Sequence, residues 1–142
     1  MTSLSSPTRV IFFQVNDNAM KLKKIVEMAQ YHFGKKEPFI FFVEEEKSEK
    51  YVDELLWKYP PTSFLPHVAT DGPTNDLLVV TKSKNNVNNA KVAFNLCPTS
   101  LFLPEPFKVI YEFEDLTASV KKNFASQRFD AYKKAGFFIE AR

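Results

Sequence analysis

The chain has 142 residues, 44% hydrophobic and 25% charged, with 19 basic and 17 acidic side chains giving a net charge of +2. It reads as one soluble globular domain over 1–142, long enough to bury about two-thirds of its unfolded surface and without the concentrated basic stripe of a protein that lives on a phosphate backbone. Gly34, Gly72 and Gly136 stand alone, which excludes a glycine-rich phosphate loop, and His32, His67 and Cys97 lie roughly 30 or more residues apart, which excludes metal-ligand spacing and an intrachain disulfide.

Arg9 to Val15 is a β-branched and aromatic run and predicts a first strand. Asn16-Asp17-Asn18 offers an N-cap, and Leu22, Ile25, Val26, Ala29 and Phe33 recur at helical spacing until Gly34. Pro38 to Val43 is almost wholly apolar, as suits a strand covered on both faces, and Glu44 to Tyr59 predicts a second helix ended by Pro60-Pro61. Strand, helix, strand, helix in this order implies βαβ connection and a largely parallel sheet. Thr62 to His67 is a short tight segment and Asp71-Gly72-Pro73 a turn. Leu77 to Thr81 and Lys91 to Leu96 read as strands, with the Asn-rich stretch 82–90 between them as a mobile hairpin tip. Cys97 to Pro106 carries three prolines and is irregular. Phe107 to Phe113 predicts a strand and Thr117 to Lys134 a long helix, capped by Gly136, with Phe137 to Ile139 docking back.

The first nine residues lack the apolar core of a signal peptide, and the longest apolar run, Phe39 to Val43, is far short of the ~20 residues that span a bilayer. With a lone Cys, this places the chain in the cytoplasm, with no membrane partner.

Two helix faces are out of phase with a simple core. In the second helix Val52, Leu55, Leu56 and Tyr59 form the core stripe, which leaves Trp57 roughly 150° away, on the side that faces water. Either Trp57 packs under Ser63 to His67, or it is an exposed aromatic anchor for a partner protein. In the last helix Leu116, Val120, Phe124, Ala131 and Ala135 form the expected core side. Lys122, Ser126, Phe129 and Lys133 then make an opposite stripe, suited to an acidic peptide ending in an aromatic residue or simply to a solvated face.

An enzyme reading has one candidate, a Cys97 thiol with His32 or His67 as its base, against the commoner case of a buried free Cys. No carboxylate pair stands out for acid/base work, and no cofactor is expected.

Val52-Asp-Glu-Leu-Leu-Trp57, Ser63-Phe-Leu-Pro-His67 and Asp71-Gly72-Pro73 together are similar to the central signature of the chi subunit family of bacterial DNA polymerase III. Arg128-Phe-Asp-Ala-Tyr-Lys-Lys-Ala-Gly136 resembles that family's closing helix. The resemblance implies a single three-layer α/β/α domain, akin to nucleotide-binding folds but without the phosphate loop, and a non-catalytic clamp-loader accessory role in DNA replication. It implies a surface for the psi subunit around Trp57, Phe64, Pro66 and His67. It implies a second surface, at Lys122, Arg128, Phe129, Lys133 and Lys134, for the acidic C-terminal tail of single-stranded DNA-binding protein. Direct DNA contact is then weak or indirect. Ser126 and Asp130 depart from the family's basic residues, and a carboxylate at 130 opposes an acidic tail. The alternatives are an orphan adaptor for a helicase or repair factor, and a small α/β enzyme using Cys97.

Overall fold

The computed structural model describes residues 7–59 and 65–142. In chain order the elements are β1 (Arg9–Val15), α1 (Asn18–Gly34), β2 (Phe39–Phe42), α2 (Glu46–Lys58), β3 (Val68–Ala69), β4 (Leu78–Thr81), β5 (Val92–Asn95), β6 (Val109–Asp115), α3 (Ser119–Lys134) and β7 (Phe138–Ala141). The strands form one sheet of order β3-β4-β2-β5-β6-β1-β7, and every pair is parallel. A parallel sheet needs a crossover between each pair of strands, and the crossovers cover both of its faces.

The alternation of side chains along the central strands builds the two cores. Phe39 and Phe41 of β2 pack with Ile11, Phe13 and Phe94 under α1 and α2. Ile40 and Phe42 point the other way, to a core completed by Tyr132 of α3 and by the irregular crossovers through Val87, Ala90, Leu101 and Phe107. The result is the expected three-layer α/β/α architecture.

Local chemistry sets the helix ends. The Asp17 carboxylate accepts from the Met20 amide at 2.8 Å and caps α1. Gly136 follows α3 at φ +84°, with its amide donating to the Lys133 carbonyl and that of Phe137 to Tyr132, a termination that glycine adopts without strain. This turn sends the chain back along β1 as β7, so the expected docking of Phe137 to Ile139 is a paired edge strand.

Two expectations are corrected. Stretch 82–90 is no hairpin tip, because β4 and β5 lie on opposite sides of β2 and the stretch is a crossover between parallel strands. Nor is it loose: Val87, Asn88 and Ala90 are buried, and the Asn88 amide donates to the carbonyls of Phe39, Asp76 and Leu77. The core side of α3 is likewise not Val120 and Phe124, which are 56% and 39% exposed; its buried residues are Ala125, Arg128 and Tyr132. The two-residue strand β3 had no separate signal in the sequence.

Candidate interaction surfaces

On α2, Val52, Leu55 and Leu56 are buried as the helical phase requires, while Tyr59 at the C-cap is exposed. Trp57 is 49% exposed, and its ring centre lies 4.3 Å from that of His67. The indole packs against the following segment and still presents about half of its surface. His67 is the pin. One ring nitrogen faces the Leu65 carbonyl at 2.6 Å, and the other faces the Asp53 carbonyl at 3.1 Å and its carboxylate at 3.0 Å. The imidazole itself has no exposed surface, so it holds Trp57 and the neighbouring Pro66 in place rather than touching a visitor. Phe64 lies outside the described residues.

On α3, Lys122, Ser126, Phe129, Lys133 and Lys134 are exposed, and the Phe129 ring lies 5.8 Å from that of Phe12. Arg128 is elsewhere. It is buried, with its guanidinium donating to Glu112 at 2.9 Å and to the carbonyls of Pro98 and Phe113. Glu112 is fully buried and also accepts from Tyr132 at 2.5 Å and Asn95 at 2.7 Å. Burial pushes its carboxyl up to about 7, against the pull of Arg128 and the other donors. Every nitrogen of Arg128 is thereby spent inside, so it does not snorkel towards a ligand.

A third feature was not read from the sequence. A cleft of about 720 Å³ opens at the carboxyl ends of β2, β5 and β6, between α1, α2 and α3. Tyr51, Val120 and Phe124 line it, all exposed, with Lys47 and Lys121 beside them. Open parallel sheets take ligands at this position, where the strand order reverses. The order of elements along the chain does not reveal the order of strands across the sheet, so the available signal was only that Val120 and Phe124 are apolar.

Cys97 also lines this cleft, but it is buried and burial pushes its thiol up to about 11, opposite to what a nucleophile needs. His32 bonds to Glu37 and Tyr111, and His67 to Leu65 and Asp53, so neither histidine serves Cys97. Among the described residues no group of three or more His, Cys, Asp or Glu is placed to hold a metal, and no helix is long and apolar enough to cross a membrane.

Residues 8–140 match the family described as DNA polymerase III chi subunit, HolC. The chain belongs to that family. It is also 26% identical over 116 residues to DNA polymerase III subunit chi of Escherichia coli (strain K12), covering 80% of this chain and 78% of that protein. The matched span takes in every element from β1 to α3, and with them both surfaces described above. Within the chi family, Arg128 here belongs to the support of the closing helix rather than to its exposed stripe.

Proposed function

We propose that this chain is a non-catalytic subunit of a DNA polymerase III assembly. It bridges the clamp loader, through psi, to the acidic C-terminal tail of single-stranded DNA-binding protein during replication. The observation that carries this reading is the family match over residues 8–140. The psi surface is Phe64, Pro66 and the half-exposed Trp57, whose indole rests on His67. The tail surface is Lys122, Phe129, Lys133 and Lys134, whose ammonium groups pair with carboxylates while apolar groups pack. Arg128 contributes by holding α3, not by contact. A bridge of this kind works by effective concentration, since two weak contacts on one tether hold the polymerase near coated single strands. With a net charge of only +2, direct DNA contact is weak or indirect.

Titration of the full chain with a labelled tail peptide tests the reading. Binding that weakens with added salt and disappears in the Lys122→Glu, Lys133→Glu double variant is expected; no binding near millimolar peptide sinks the tail assignment. The psi surface is tested by Trp57→Ala, with loss of psi capture expected and a melting temperature close to the parent's.

A further inference from the structure

The two edges of the sheet are protected differently. β3 is a two-residue strand, so little backbone is open on that side. β7, the other edge, runs for four residues and plays no part in the partner surfaces assigned above. The amides of Phe138 and Arg142 donate to the carbonyls of Thr8 and Phe12, and the Arg142 carbonyl accepts from Gln14. Backbone groups alternate in direction along a strand, so those of Phe138, Glu140 and Arg142 serve β1, while Ile139 and Ala141 turn N–H and C=O outward. The Phe137 amide donates to the Tyr132 carbonyl, which leaves its own carbonyl for the outer side. No described residue meets these outward groups.

Monomeric proteins guard such an edge with lysine, proline, a bulge or an unpaired charge. β7 contains no lysine or proline, and its one charge, Glu140, is paired with both Arg9 and Arg142. Phe138 lies on the same face as Glu140 and is 57% exposed. On the opposite face Phe137 and Ile139 are only partly buried in the core under α3.

We propose that β7 is a homodimerisation edge: it pairs antiparallel with β7 of a second copy of this chain, across a two-fold axis through Ile139. The outward groups select this register. The Ile139 residues exchange N–H to C=O bonds in both directions, and each Ala141 N–H donates to the Phe137 carbonyl of the other copy, the one Phe137 group left open. Side chains match as well. Ile139 packs on Ile139 and Phe137 on Ala141 along one face. On the other face the exposed Phe138 ring lies opposite Glu140 of the other copy, whose two arginines offer guanidinium groups to it. Moving the axis one residue on, to Glu140, sets Glu140 against Glu140, a like-charge pair that opposes this alternative. The edge is thus complementary to itself, which favours a second copy over an unrelated strand.

The test is sedimentation equilibrium of the full chain from about 10 µM to about 1 mM. A single short edge makes a weak contact, and a monomer–dimer equilibrium with Kd on the order of 100 µM is expected. Ala141→Pro removes an outward N–H and no bond to β1, so it should weaken the dimer about tenfold or more with a melting temperature close to the parent's. Charge at the exposed position 138 reads the register: Phe138→Glu, set against Glu140 of the other copy, should weaken the dimer about tenfold, and Phe138→Lys several-fold less. Equal losses from these two variants overturn the register. A chain that stays monomeric up to about 1 mM overturns the proposal, as does a dimer that Ala141→Pro and Phe138→Glu leave unchanged, which places the contact on another surface. A monomer whose Ile139 and Ala141 amide signals move only when psi is added also overturns self-pairing and gives the edge to psi.

Discussion

Helices α2 and α3 cover opposite faces of one sheet and bury different chemistry. The buried side of α2 is Val52, Leu55 and Leu56; that of α3 is Ala125, Arg128 and Tyr132. In α2 the apolar residues and the buried residues are nearly the same set, so helical phase locates both the core and the outward Trp57. In α3 the inner face is a guanidinium and a phenol converging on Glu112, and the apolar Val120 and Phe124 are left in solvent. Phase finds the core only where the core is apolar. Where a helix is held by a buried ion pair, its apolar residues become free to serve as contact surface.

The largest expected effect breaks the α3 side of this contrast. Arg128→Met leaves Glu112 buried without its counter-charge and should cost about 3–5 kcal/mol in urea unfolding at pH 8. The loss should shrink at pH 5, where Glu112 is free to take a proton. Adding Glu112→Gln should restore most of the stability at pH 8, because both charges are then gone; a double variant as unstable as the single one means that packing, not charge, holds α3. On α2 the matching probe is Leu56→Ala, expected to cost about 2–5 kcal/mol at either pH, since only a methyl-lined cavity is made.

The same contrast explains how much was legible in the sequence. The alternation from β1 to α2 was readable because its strands are continuous apolar runs and its helices carry clear stripes. The stretch 82–90 misled because four asparagines resemble a solvated tip, whereas Asn88 spends its amide on three carbonyls at the ends of β2 and β4. Arg128 misled because one sequence does not show that a Glu on β6 waits beneath it. Trp57 was located on the outward side of α2 by its phase, but the role of His67 as its pin depends on Asp53 fourteen positions back, a pairing that one sequence does not show.

A smaller effect separates the two faces by pH. Under α1, burial lowers His32 from its ordinary 6.5, opposed by its bond to Glu37. The unfolded chain therefore takes a proton first, and this contribution, present above 6.5, is lost as pH falls. Under α3, Glu112 is raised from 4.5 to about 7, so its contribution is present below 4.5 and lost as pH rises through about 7. The two slopes oppose each other between pH 5 and 7. Melting curves across that range should show stability falling with pH more steeply in His32→Asn, and rising with pH more steeply in Glu112→Gln, than in the parent. Parallel profiles for all three chains rule out this division of the titrating groups.

The smallest expected effect lies on the outer side of α3. Asp130 is exposed, with Lys133 and Lys134 close by, and an acidic tail must pass it if it runs along the whole stripe. Removing that charge in Asp130→Asn should then tighten the tail by a few tenths to one kcal/mol, about two- to fivefold, and leave stability within about 0.5 kcal/mol. The gain should fade as salt is added, since an exposed charge is screened over about 10 Å at 0.1 M. Paired with Lys122→Glu at the start of the helix, this measurement locates the carboxylates along α3. A gain from Asp130→Asn equal to the loss from Lys122→Glu lays the tail along the full helix. A loss at Lys122 with no change at 130 confines it to the first turn of α3.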